Sequence, residues 1–115
     1  MTTFEPLSVN DLAVLRALLV QVPGGLGDEV AAQLPHTQRE SGAVTMVELA
    51  VDSSVPRAHV ADGPLPGRAL VEDSTGLIGE LMVWMKSGHL STLEYAWYTD
   101  DVPTALPSPV QIRFA

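Results

Sequence analysis

Apolar residues at helical spacing dominate the first part of the chain. Ser8 is a good N-cap with Asp11 three residues on as its capping-box partner, and Leu7 and Leu12 occupy the two positions of a hydrophobic staple. Pro23-Gly24-Gly25 ends this first predicted helix. Its apolar stripe is wide, as expected for a helix packed on a sheet, and comprises Leu12, Val14, Leu15, Leu18, Leu19 and Val22.

A second, shorter helix is predicted from about Asp28 to Leu34. Asp28 and Glu29 would lie in its first turn, where the helix dipole favours acidic side chains. Pro35 is expected to stop it, because proline cannot continue a helix interior.

After Gly42 the apolar period changes to two, which is typical of strands. A loop rich in proline and glycine separates the first strand from the others, and residues 73–76 form a turn. The predicted strands cover residues 44–51, 68–72, 77–85 and 90–98, with a possible short edge strand at 110–114. We therefore predict an α+β fold, in which two N-terminal helices pack on an antiparallel sheet of about four strands, arranged as a meander.

The whole chain is predicted to be a single domain, residues 1–115, because this length is ordinary for one domain. The helical part spans 7–35, the sheet part 43–98, and an extended, proline-rich C-terminal tail 99–115. No internal repeat or low-complexity tract is present.

The last two predicted strands form a hairpin with two apolar faces, whereas a small antiparallel sheet normally shows one polar face to water. In residues 77–85 only Glu80 interrupts the second face. We therefore expect both faces to be covered, one by the helices and the other by a partner subunit or the C-terminal tail. In the strand 77–85, one face carries Leu77, Leu81, Val83 and Met85, and the other carries Ile78, Met82 and Trp84. In the strand 90–98, one face carries Leu93, Tyr95 and Trp97, and the other carries Leu90, Ala96 and Tyr98.

The turn Lys86-Ser87-Gly88-His89 decides which side chains of the hairpin meet. A two-residue loop would place Glu80 opposite Tyr95, and this is the favoured register. A three-residue loop would place Glu80 opposite Glu94, which predicts a raised pKa for one of the two carboxyls.

Composition excludes several function classes. The net charge is −8, from fourteen acidic against six basic side chains, and such a surface repels the phosphates of nucleic acids. Cysteine is absent, so disulfides and cysteine-based metal sites are ruled out, and a reducing cytoplasm is favoured. The most apolar run, residues 12–22, is too short to span a membrane, and no signal peptide is recognised.

No motif for catalysis or for a cofactor is present. His36, His59 and His89 lack metal-ligand spacing, and residues 23–28 resemble a phosphate loop only superficially, because they follow a helix and no Lys-Ser/Thr follows them. No serine lies in a Gly-x-Ser-x-Gly elbow. We therefore predict no catalytic residue, no cofactor and no metal.

Several short motifs lie in the hairpin, in the tail and before the first predicted strand. They are Gly79-Glu80-Leu81-Met82-Val83-Trp84, Gly88-His89-Leu90-Ser91-Thr92-Leu93-Glu94-Tyr95, Asp100 and Leu106-Pro107-Ser108-Pro109, with Gln33-Leu34-Pro35-His36 upstream. Together they resemble the motifs of a widespread family of small bacterial proteins of unknown function. Some members are encoded near secreted toxins, so the resemblance implies an immunity-protein-like role. Many relatives carry a cysteine-rich stretch where this chain has Glu40 to Thr45, so a metal or redox role in those relatives does not carry over.

Two classes of function follow from these patterns. The leading hypothesis is a non-enzymatic, cytoplasmic protein-binding domain, which binds a second copy or a basic protein through an apolar, aromatic hairpin face. The alternative is a small enzyme or ligand-binding protein that uses Glu80, Glu94, Tyr95 and His89 around a pocket. A structural subunit of a larger complex is a third possibility. The candidate interaction face comprises Trp84, Tyr95, Trp97, Glu80, Glu94 and His89.

Overall fold

Helix α1 (Val9–Val20) begins at the predicted capping box in the computed structural model, which describes all of residues 1–115. The Ser8 hydroxyl accepts the backbone N–H of Asp11 at 3.0 Å, and the Asp11 carboxylate accepts the backbone N–H of Ser8 at 2.8 Å. The other oxygen of the buried Asp11 lies 3.3 Å from Nη1 of Arg39. The N-terminus of the helix is thereby fixed to a strand of the sheet.

The second helix, α2 (Leu26–Ala31), lies earlier in the chain than predicted. A separate 3₁₀ turn, Leu34–His36, follows it and contains Pro35 near its start. Proline is tolerated in a first helical turn because its missing N–H would have no partner there. Pro35 therefore marks the start of a new turn rather than the end of the α-helix.

The sheet contains eight antiparallel strands, and these are β1 (Phe4–Pro6), β2 (Thr37–Glu40), β3 (Met46–Val51), β4 (Gly63–Pro64), β5 (Ala69–Asp73), β6 (Gly76–Lys86), β7 (His89–Trp97) and β8 (Ile112–Phe114). Their order in the sheet is β1-β2-β3-β7-β6-β5-β8, with β4 paired to part of β6. The pairing of β3 with β7 breaks the sequential order. The prediction of about four strands in a meander is therefore wrong, although the α+β class is confirmed.

The hairpin between β6 and β7 has the predicted two-residue loop, because Lys86 pairs with His89. Ser87 and Gly88 both have positive φ angles, of 52° and 76°, as a type I′ turn requires. A bulge follows, in which Ser91 is the extra residue and the register moves by one. Glu80 consequently lies opposite Ala96, so both predicted registers, with Glu80 opposite Tyr95 or Glu94, are wrong.

The same bulge changes which hairpin residues share a face. Leu90 was expected beside Ala96 and Tyr98, but the extra residue turns it into the core. Gly79 pairs with Trp97, and a Cβ at Gly79 would lie 2.6 Å from the ring of Tyr95. Glycine at this position lets the Tyr95 ring cross the backbone of β6.

The core lies between the helices and one face of the sheet, here called the inner face. Helix residues such as Val14 and Leu15 belong to one buried cluster with Leu81, Val83 and Leu93 of the hairpin. Leu106 and Ile112 of the C-terminal segment also pack against this cluster. The expectation that the tail covers the opposite face is therefore wrong, because the tail joins the core and ends as an edge strand beside β5.

The molecule is thin, with principal extents of 43 × 37 × 23 Å. A helix layer and a sheet layer are each about 10 Å thick, so 23 Å accommodates two layers and no third. The opposite face of the sheet, here called the outer face, is consequently left without a covering element. Neither helix has the length and apolar composition needed to cross a membrane.

Candidate functional site

Two rows of three side chains form the uncovered centre of the outer face. The strand register places Met46, Glu94 and Met82 side by side in one row, and Glu48, Thr92 and Trp84 in the next. Cross-strand neighbours point to the same side of a sheet, so all six side chains face outward together. We call this set of six residues the Trp84 patch.

Trp84 is held in place by a direct hydrogen bond within the patch. Its indole Nε1–H donates to Oε1 of Glu94 at 3.0 Å. Both side chains are partly buried, whereas Met46 beside them is 54% exposed. The result is a fixed aromatic ring next to an exposed, apolar side chain on an open surface.

A shallow groove of about 520 Å³ runs from the patch toward the hairpin turn. Asp62 and Lys86 lie at the turn end of this groove. Asp62 accepts the backbone N–H of Ser87 at 2.8 Å, which fixes the loop before β5 against the turn. Carboxylates outnumber basic groups around the groove and the patch, since Glu48, Glu94 and Asp62 face only Lys86.

The next row of the outer face is closed by polar side chains of this chain itself. Glu80 accepts a hydrogen bond from Nε of Arg68 at 3.3 Å and another from the hydroxyl of Tyr98 at 3.0 Å. Leu70, directly opposite Glu80, is only 6% exposed. The hydrogen bond to Glu80, with a smaller effect of burial, raises the pKa of Tyr98 above its ordinary value.

The six residues of the predicted interaction face do not lie together. Trp84, Glu94 and Glu80 are on the outer face, but Tyr95 is 4% exposed and belongs to the core. Burial raises the pKa of the Tyr95 phenol. Trp97 is exposed at the end of β7, where it pairs with Gly79 rather than with a residue of the Trp84 patch.

His89 has a structural position at the hairpin turn. Its Nε2 lies 2.8 Å from the carbonyl oxygen of Val55, which can only accept, so His89 donates this hydrogen bond. The register puts His89 at the opposite end of β7 from Glu80 and Ala96. The structure therefore does not assemble Glu80, Glu94, Tyr95 and His89 around one pocket.

A buried glutamine anchors the same turn from the inner side. Gln33 is fully buried; its Nε2 donates to the carbonyls of Gly88 at 2.8 Å and Pro56 at 3.3 Å, and its Oε1 accepts the N–H of Leu90 at 3.0 Å. Sequence reasoning singled out Gln33 only as part of a motif. Its polarity within an otherwise apolar segment was the available signal, but its partners lie 23, 55 and 57 residues away in the chain.

Met46 and Glu48 belong to the Trp84 patch but not to the predicted interaction face, and the sequence indicates their outward orientation more clearly. Met46 and Glu48 alternate with the buried Val47 and Leu49, so the outward side of β3 could be read from its period. What sequence could not supply was the pairing of β3 with β7, which brings Met46 beside Glu94.

A second polar region joins α2 to the loop after β3. Nδ1 of His59 lies 2.5 Å from Oε1 of Glu29, and this hydrogen bond lowers the pKa of the Glu29 carboxyl. His36, Asp52 and Arg57 line the same shallow depression. No group of three histidine, aspartate or glutamate side chains in the structure is arranged to hold a metal ion.

Comparison with protein-family models, with curated proteins and with solved structures gives no significant match. The resemblance to small bacterial proteins therefore rests on the motif residues alone. Those residues coincide with structural features: Gly79 admits the Tyr95 ring, Gly88 forms the turn, and Trp84 and Glu94 are hydrogen-bonded on the outer face.

Proposed function

We propose that this chain is a non-enzymatic protein-binding domain, and that its partner covers the Trp84 patch. The observation that carries this proposal is the absence of a third layer over an outer face that presents Met46, Met82 and Trp84. Aromatic and methionine side chains are enriched at the centres of protein interfaces, and they are costly to leave in water.

The partner is a basic protein. Among the four ion pairs of the structure, none involves Glu48 or Glu94, so neither patch carboxylate is paired with a basic side chain of the chain. A second copy of the chain would place these carboxylates against their equivalents, and the net charge of −8 would add to the repulsion. A basic partner meets complementary charge and is steered toward the patch.

An immunity-like role in the cytoplasm is consistent with this proposal. The motif resemblance includes members encoded near secreted toxins, and an immunity protein acts by covering a surface of a toxin. The lack of cysteine favours a reducing compartment. An enzyme is not favoured by any observation, because the four residues of that alternative are spread over two faces and the turn.

The test is site-specific photo-crosslinking in the native cell, followed by a binding measurement. A crosslinking residue at Met46 reports on the patch, and one at Val20, exposed on the helix layer, is the matched control. We expect the Met46 probe, and not the Val20 probe, to capture a basic protein. Purified, that protein is expected to bind Trp84→Ala about tenfold or more weakly than wild type.

Three results would contradict the proposal. Capture through Val20 alone would move the interface to the helices. Equal affinity of wild type and Trp84→Ala would remove the patch from the interface. A captured second copy, with a dimer mass in solution that Trp84→Ala reduces to a monomer, would replace the basic partner by self-association.

A further inference from the structure

Trp84 lies beside two carboxylates, those of Glu94 and Glu48, which have few or no partners within the chain. The indole is fixed by Oε1 of Glu94, while Oε2 of Glu94 has no hydrogen-bond partner in the chain. Glu48 lies in the same row as Trp84, across Thr92, and its carboxylate has neither an ion pair nor a hydrogen bond. An oriented ring thus lies beside two carboxylates that are available to a ligand.

The neighbouring row shows how this chain completes a similar arrangement. There Glu80 is joined by Arg68 at 3.3 Å and by the hydroxyl of an aromatic side chain, Tyr98, at 3.0 Å. That row contains its own arginine, and Leu70 beneath it is almost fully covered. The Trp84 patch has the aromatic ring and the carboxylates, but no arginine of the chain forms an ion pair with either carboxylate.

We propose that the Trp84 patch binds an arginine side chain of the partner, with the guanidinium stacked on the Trp84 ring and paired with Glu94 and Glu48. This inference rests on the proposed function and names the group that the partner contributes. A guanidinium is planar, stacks on aromatic faces and donates several hydrogen bonds to carboxylates at once. Tryptophan is the best aromatic partner for such a cation.

Lys86, the basic residue that lines the groove, does not already fill this place. It lies beyond Trp84 at the end of β6, beside the turn. No salt bridge joins it to a carboxylate of the patch. Asp62 lines the groove on the same side, so the turn end of the groove has balanced charge and the patch keeps its two negative charges.

The experiment is an NMR titration of the whole chain with N-acetyl-arginine amide. The two tryptophans give two indole N–H signals, so Trp84 reports on the patch and Trp97 is an internal control. N-acetyl-citrulline amide has nearly the same shape without the charge. We expect the arginine derivative to shift the Trp84 signal to saturation with a millimolar Kd, while Trp97 stays in place and citrulline has no effect.

Variants test which carboxylates take part. Glu48→Gln combined with Glu94→Gln is expected to weaken arginine binding about fivefold or more, because charged hydrogen bonds become neutral ones. Glu5→Gln, an exposed acid on β1 with no ion pair, is the matched control and is expected to leave the Kd unchanged. Folding of each variant is checked by the dispersion of its amide spectrum.

The inference is overturned if the arginine and citrulline derivatives shift the indole N–H signal of Trp84 equally. It is overturned as well if the Trp84 signal shifts at no lower concentration of the arginine derivative than the Trp97 signal. It is also overturned if the double variant binds arginine as wild type does. Its failure is distinguishable from that of the proposed function. Suppose that the captured partner needs Trp84 for binding but still binds after all its interface arginines are replaced. The proposed protein-binding function would then hold, and the proposed arginine contact would be refuted.

Discussion

The two faces of the β6–β7 hairpin look alike in sequence and differ in the folded chain. On the inner face, Leu81 and Leu93 are almost completely buried beneath the helices. On the outer face, Met82 and Trp84 are only partly buried. An apolar pattern on both sides of a hairpin therefore indicates two surfaces that avoid water, and it does not show that one chain covers both.

The outer face itself divides into a closed and an open part. In the closed part, Arg68 and Tyr98 each donate a hydrogen bond to Glu80, which lies opposite the buried Leu70. In the open part, Glu94 bonds only to Trp84, and Met46 extends into solvent. The chain thus has the means to cover apolar surface with charged side chains and does not use them over the Trp84 patch, which favours a surface kept for a partner.

The largest expected difference between the two faces is in stability. Leu93→Ala removes a side chain that is 1% exposed, and we expect the free energy of unfolding to fall by about 3 kcal/mol. Thr92→Ala, the next residue and on the outer face, is expected to change it by less than about 0.5 kcal/mol. Urea unfolding of both variants measures this, and similar losses would mean that the outer face is covered too.

The anchoring of the hairpin turn by the buried Gln33 can be tested by substitution. Gln33→Leu keeps the volume but leaves the Leu90 N–H without its acceptor, so we expect a loss of about 2 kcal/mol in the free energy of unfolding. Gln38→Leu, at an exposed position on β2, is the control and is expected to lie within about 0.5 kcal/mol of wild type. Equal stability of the two variants would refute the anchoring role of Gln33.

Local signals in the sequence predicted those elements whose partners are near in the chain. The capping box of Ser8 and Asp11 was recognised because both groups lie within one turn. The two-residue loop at Ser87-Gly88 was recognised for the same reason. Strands β1 and β2 were missed because they are short, largely polar, and stabilised by pairing with each other across the helical segment.

The candidate site depended on a feature that no local pattern marks. Ser91 was read as an ordinary strand residue, but the bulge at this position shifts every pair beyond it by one. Glu80 therefore lies opposite Ala96 and not opposite an acid or a tyrosine. Of the predicted interaction residues, Trp84 and Glu94 lie on the outer face, whereas Tyr95 belongs to the core, because period-2 alternation cannot tell which face the helices occupy.

Substitutions within the Trp84 patch are expected to cost less stability than those of the core. Trp84→Ala removes a partly buried ring and one hydrogen bond, and we expect a loss of about 1 kcal/mol. Met46→Ala, at a more exposed position of the same patch, is expected to remain within about 0.5 kcal/mol of wild type. Thermal unfolding checks both; a loss from Trp84→Ala as large as that from Leu93→Ala would make Trp84 a core residue.

The closed part of the outer face can be followed by the titration of Tyr98. The hydrogen bond to Glu80 raises the pKa of Tyr98 above 10.0, so the protonated tyrosine is favoured in the folded chain. The stability that this bond contributes is fully present below pH 10.0 and is lost as the pH rises through the pKa of the folded state. We expect Glu80→Gln to lower the pKa of Tyr98 toward its ordinary value, as measured by NMR of the assigned tyrosine ring.

Two control variants test whether the pKa of Tyr98 depends only on the closed part of the outer face. Glu94→Gln changes the open part only, so we expect it to leave the pKa of Tyr98 unchanged. Tyr98→Phe leaves Tyr95 as the only tyrosine, whose pKa is raised by burial and not by Glu80. A shift of Tyr98 in Glu94→Gln as large as in Glu80→Gln would show that the two parts form one electrostatic unit. The Trp84 patch would then not be separate from the closed part of the outer face, and the case for a binding surface confined to the patch would lose its main support.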